Sequence, residues 1–209
     1  MHATIDSPTD AAPKRTRSPK WRPVDIVIAA VLAVAAGLVF WVWDLVSNPV
    51  SAPIEAALPG LQGIINGPWL FAGVLVGLVV RKPGAAFFGE FVAAAVSALL
   101  TTQWGPLTLL SGLAQGLGVE AAFAILLYRR WGLGAALLGG LGAGVGESIL
   151  DLTVWYPGAK PLFAVLYASS TIVSGIVVAG LGSWLLVKAL ARTGALSRFA
   201  AGREAVARS

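Results

Sequence analysis

"VDIVIAAVLAVAAGLVFWVW", Val24 to Trp43, decides the fold, because across 20 residues it carries a single charged side chain, Asp25. In a helix rising 1.5 Å per residue, such a run is about 30 Å long, the thickness of a hydrocarbon core. It ends in Trp43 and Asp44 rather than in the small residues of a cleavage site, so it reads as a retained span, not a removed signal peptide. Comparable apolar runs recur along the chain. The whole is 57% hydrophobic with only 12% charged residues, too few to coat a soluble globule of 209 residues, and its mean hydropathy is +0.80. The expected fold is therefore all-α, a polytopic membrane protein with six transmembrane helices near 24–45, 67–80, 84–101, 106–128, 132–154 and 161–188. These form a membrane domain over 24–190, between a basic tail at 1–23, read as disordered, and a second basic tail at 191–209.

Charge orients the spans. Lys14, Arg15, Arg17, Lys20 and Arg22 precede span 1, Arg81-Lys82 join spans 2 and 3, Arg129-Arg130 join spans 4 and 5, and Lys188, Arg192 and Arg198 follow span 6. The alternate connections, 46–66, 102–105 and 155–160, hold one basic residue, Lys160. The positive-inside rule then places both termini in the cytoplasm. Basic residues gathered in tails beside spans read as topology signals and contacts with anionic lipid, not as a nucleic-acid surface.

Several chemistries are excluded. There is no cysteine, and the one histidine, His2, lies in the polar tail, so Ser-His and HExxH enzymes are ruled out. No GxxxxGK[ST] is present, so any ATP hydrolysis belongs to another subunit. No cofactor, metal site or catalytic residue is expected.

Polar groups at hydrocarbon depth point to function. In span 5, Gly139, Ala143, Glu147, Asp151 and Trp155 recur every four residues, which puts two acids and an indole on one helix face. Acids at that depth are turned into protein, because exposing a charge to lipid costs a few kcal/mol. Tyr156 follows at the same end, and Tyr167 begins a hydroxyl stripe with Thr171 and Ser174 in span 6. Asn66 and Trp69 open span 2, Gln103 and Trp104 close span 3, and Gln115 sits in span 4. Together these outer-half groups suit a small, flat, polar molecule: carboxylates for a cation or amino donors, amides for a ring edge, indoles for stacking. Glu90 and Glu120 lie deeper, either as packing acids or as the floor of a pocket or a proton relay. Ala29, Ala33 and Gly37 form a small-residue stripe in span 1 that permits close helix contact, with a partner or within the chain. The Pro-rich connection 46–66 reads as an outer loop, either a passive link or a lid.

The inner turn "RKPGAAFFGEF", the run "GLAQGLGVEAAF" followed by "YRRW", and the terminal "LARTGAL", set in six spans with an extended first outer loop, resemble the YkoE family over about 21–196. That family comprises substrate-binding S-components of energy-coupling factor (ECF) transporters. The resemblance implies a membrane subunit that captures thiamine or its hydroxymethylpyrimidine precursor from outside, then associates with a transmembrane coupling subunit and ATPase subunits. It also implies contact of Ala29 and Ala33 with the coupling subunit, and it places Glu90, Gln115 and Glu120 inside matching motifs. The competing expectation is a stand-alone proton-coupled carrier or channel using Glu90, Glu120 and Glu147.

Overall fold

A computed structural model describes residues 20–206, so most of the first tail lies outside the described residues. The described chain runs as α1 (Pro23–Ala57), a 3₁₀ helix (Leu61–Trp69), α2 (Phe71–Val80), α3 (Ala85–Leu99), α4 (Thr108–Ile125) and α5 (Leu133–Val154). It continues as α6 (Pro161–Ser174), a π-helical stretch (Gly175–Leu181), α7 (Gly182–Arg192) and α8 (Ala200–Val206). Five stretches are long and apolar enough to cross a membrane: Pro23–Ala57, Leu61–Val80, Gly105–Ile125, Leu133–Val154 and Pro161–Arg192. Helix α3 is a shorter apolar helix between the second and third of them. The six expected spans thus have six helical counterparts.

Two boundaries differ from expectation. The connection expected to be a loop over 46–66 is helical to Ala57, making α1 35 residues, about 52 Å, longer than a hydrocarbon core is thick. The prolines that suggested a loop, Pro49 and Pro53, lie inside this helix. Each removes one backbone donor. Side chains bind carbonyls on the same stretch: the hydroxyls of Ser47 and Ser51 donate to Asp44 O and Asn48 O, and Gln103 Nε2 donates to Asp44 O. The remainder of the connection is the 3₁₀ helix, which descends beside α6. Gly60 turns the chain into it at φ 102°, and at Gly63 a β-carbon would strike Thr171 Oγ1, so the close approach requires glycine.

At the end of the bundle that carries Arg81-Lys82 and Arg129-Arg130, Asp25 is fully buried and bonded to Lys82 Nζ at 2.6 Å and Arg22 Nη2 at 2.7 Å. This clamps the start of α1 to the α2–α3 turn. Leu196, Phe199 and Ala201, C-terminal to α7, fold back onto a core that includes Phe123 and Trp131. Farther up, helices meet through glycine. Gly118 of α4 and Gly142 of α5 stand backbone to backbone, and Gly140 of α5 does the same with Gly175 of the π-helical stretch. Small residues at such crossings let backbones approach closely, the means of helix association where water supplies no hydrophobic drive.

The α1 stripe belongs to the same class. Ala29 and Ala33 are fully buried, and a β-carbon on Gly37 would lie 2.6 Å from Val96 Cβ and 2.7 Å from Ala93 O of α3. Of the two readings left open for Ala29, Ala33 and Gly37, the fold displays a packing seam within the chain: Gly37 meets α3, and Ala29 clusters with Val76 and Val80 of α2 and Ala85 of α3. Gly37→Val should therefore overpack this seam and destabilise the isolated chain by about 1–3 kcal/mol. Thermal unfolding in detergent checks this, and an unchanged melting temperature would return the stripe to a partner.

Candidate functional site

A cleft with a volume of about 180 Å³ opens at the end of the bundle opposite the basic turns. Its walls come from the last turns of α1, the 3₁₀ helix, the starts of α4 and α6 and the end of α5. Nine of the residues singled out in the sequence line it: Asn66, Trp69, Trp104, Gln115, Glu147, Asp151, Trp155, Tyr156 and Tyr167. The period-four face of α5 explains the acids, since Gly139, Ala143, Glu147 and Asp151 are all buried along one side of that helix.

Hydrogen bonds fix most of the polar lining. Asn66 Nδ2 donates to Tyr167 Oη at 3.0 Å and Thr171 Oγ1 at 3.2 Å, and Tyr167 Oη donates to Asp151 Oδ2 at 2.6 Å. The hydroxyl stripe of α6 is thus the seat of the 3₁₀ helix: Ser170 Oγ donates to Gly60 O, Ser174 Oγ donates to Ile64 O, and Gly67 N–H donates to Ser174 Oγ. Glu147 lies within hydrogen-bonding reach of Gln115 and Ser111 on α4. Its Oε2 is nevertheless buried without a partner. Gln62 Nε2, on a side chain within hydrogen-bonding reach of the Tyr156 hydroxyl, and Thr108 Oγ1 are likewise buried without a formed bond, both on lining residues. A buried polar atom left unpaired costs about 1–3 kcal/mol, a cost that a ligand or water bonded at these three atoms would recover.

Aromatic rings frame the space. Trp104 and Trp155 meet edge to face at 5.3 Å, Trp43 and Trp69 at 6.3 Å, and Tyr167 stacks on Phe163 while touching Tyr156. Burial raises the Tyr156 hydroxyl above its ordinary range, keeping it a neutral donor.

Sequence reasoning missed Asp44, Ser47, Asn48, Ser51, Glu55 and Gln62, all of which line the cleft. Asp44 is buried and accepts hydrogen bonds from Trp69 Nε1 at 2.9 Å and Ser97 Oγ at 2.6 Å. The signal for it was present, an acid closing the outer end of span 1 beside Trp43. The others were hidden by reading a Pro-rich helix as loop.

Three singled-out residues stand outside the lining. Gln103 braces the rim, accepting from Asn48 Nδ2 at 2.6 Å and donating to Ser47 Oγ at 3.1 Å. Glu90 is fully buried among α2, α3 and α4, accepts Gly73 N–H at 2.5 Å, and keeps Oε1 unpartnered. Glu120 lies near the basic end as the N-terminal cap of α3: it accepts the N–H of Gly84 at 2.6 Å, Ala86 at 3.1 Å and Phe87 at 3.2 Å, and the Tyr128 hydroxyl at 2.7 Å. A carboxylate there satisfies orphan amides and complements the helix dipole.

Residues 24–146 match the family described as "ABC-type cobalt transport system, permease component". The chain is 31% identical over 185 residues, 88% of its length and 92% of the other's, to a Bacillus subtilis (strain 168) protein named as an HMP/thiamine permease protein, YkoE. It also superposes with a TM-score of 0.83 and 30% identity on a crystal structure of an S-component of an ECF transporter, covering 90% of this chain and 95% of that one.

The geometry separates the acids by role. Glu147→Gln should weaken ligand binding at least tenfold, about 1.4 kcal/mol, with folding intact. Glu120→Gln should leave affinity within twofold and lower stability by about 1–3 kcal/mol, because an amide cannot accept all four donors. Paired calorimetric and thermal titrations of the two variants check both, and a reversed pattern would move the site to the basic end.

Proposed function

The chain belongs to the YkoE family of ECF-transporter S-components, and on that premise we propose that its cleft faces outward and captures thiamine or its hydroxymethylpyrimidine precursor. The family consists of multi-pass membrane subunits that bind substrate for transport, not enzymes. The observation that carries the ligand reading is the unpartnered Glu147 Oε2, buried beside Gln115 and Ser111 and framed by indoles. An aminopyrimidine supplies what that corner lacks: an exocyclic amino group that donates to Glu147, ring nitrogens that accept from Gln62 Nε2 or a hydroxyl, and a flat face for Trp or Tyr stacking. A thiazolium carries a positive charge that Asp44, Glu55 and Asp151 stabilise, with aromatic faces adding cation–π attraction. Among the described residues, no group of three His, Cys, Asp or Glu converges as a metal ligand set, so the donor chemistry favours an organic ligand over a metal ion despite the matched family's cobalt description.

Both termini then lie on the cytoplasmic side, with the basic turns facing a coupling subunit and ATPases that provide the energy this chain has no motif to provide. Purified protein should bind thiamine or hydroxymethylpyrimidine at one site by calorimetry. Cells expressing it should accumulate the vitamin only when coupling and ATPase subunits are present. Uptake by the chain alone, abolished by an uncoupler, would instead establish the proton-coupled carrier.

A further inference from the structure

We propose that the cleft admits only the free alcohol form of its heterocyclic substrate and rejects the phosphate esters; this rests on the thiamine or hydroxymethylpyrimidine reading above. Four carboxyl side chains line the cleft, Asp44, Glu55, Glu147 and Asp151, and among the described residues no lysine, arginine or histidine does. A second, independent feature is the state of the donors. Phosphate monoesters carry a charge of roughly −1.5 to −2 and three strong acceptor oxygens, which require N–H or cationic partners. Trp69 Nε1 is already spent on Asp44, Asn66 Nδ2 on Tyr167 and Thr171, and Asn48 Nδ2 on Gln103. The buried unpartnered donors on lining residues are Gln62 Nε2 and the Thr108 hydroxyl, both neutral.

Lys160 does not rescue this. It lines a separate surface depression with Pro59 and Phe163, on the other side of Tyr156, which forms a wall of both spaces. A phosphoryl group on the substrate's hydroxymethyl or hydroxyethyl arm would therefore meet a lining of four carboxyl groups with only neutral donors, and no cation among the described residues, to offset its charge. The consequence for the order of reactions is that a phosphate ester of the substrate must first be hydrolysed, consuming water and releasing inorganic phosphate, before its alcohol can be captured.

The test is calorimetric titration of the purified full-length chain with thiamine, thiamine monophosphate and hydroxymethylpyrimidine, repeated on Glu55→Gln, an exposed position where folding is least at risk. We expect thiamine monophosphate to bind at least tenfold more weakly than thiamine. Removing the Glu55 charge should narrow that ratio by about threefold, as expected of one carboxylate near the cleft mouth acting through partly screened Coulomb repulsion. A monophosphate affinity within threefold of thiamine's overturns the proposal. A tenfold gap that Glu55→Gln leaves unmoved overturns its electrostatic cause. Failure of both thiamine and hydroxymethylpyrimidine to bind overturns the ligand reading itself, and the phosphate rule with it.

Discussion

A carboxyl group at hydrocarbon depth has to be turned from lipid and given donors, and this constraint organises the whole molecule. Asp25 takes Lys82 and Arg22, Asp44 takes Trp69 and Ser97, Glu90 takes the Gly73 amide, Glu120 takes three amides and a phenol, and Asp151 takes Tyr167. Each of these acids has at least one partner that ties its helix to another element. Glu147 differs, because in the wall of an open cleft one of its oxygens is left without a partner. Glu90 shares that feature but does not line the cleft.

The division of labour along the bundle follows. Toward the basic turns, the Asp25 clamp, the Glu120 cap and the Phe123–Trp131 core make a closed platform. In the middle, glycine contacts at Gly118–Gly142 and Gly140–Gly175 draw α4, α5 and the π-helical stretch together. Toward the far end the packing opens, and the space is lined by long polar and aromatic side chains projecting from helices held below. A site built this way places Glu147 on a helix fixed by backbone contact on two sides, which favours a preorganised hydrogen-bonding edge over one assembled by a mobile loop.

How much of this was legible in the sequence depended on the range of the interaction. The α5 face was readable because helical periodicity alone brings Glu147 and Asp151 to one side, and the spans were readable from length and apolarity. The small stripe of α1 was not decidable, since Ala29, Ala33 and Gly37 suit any close partner and only the fold shows Gly37 against α3 and Ala29 against α2 and the start of α3. Glu120 stayed open between packing acid and functional acid because its partners are the amides of Gly84, Ala86 and Phe87, 33 to 36 residues away in the chain. Glu55 and Gln62 were overlooked for a different reason: Pro49 and Pro53 advertise a loop, whereas α1 continues helical through both to Ala57 and the 3₁₀ helix follows.

A bound heterocycle would complete the unpaired atoms of the cleft. The most direct measurement is an experimental structure of the chain purified with thiamine or hydroxymethylpyrimidine. Ring-shaped density is expected between the aromatic walls, with a ligand nitrogen about 3 Å from Glu147 Oε2. Ligand density elsewhere on the molecule, or a cleft filled by ordered water while ligand saturates the protein, would contradict it.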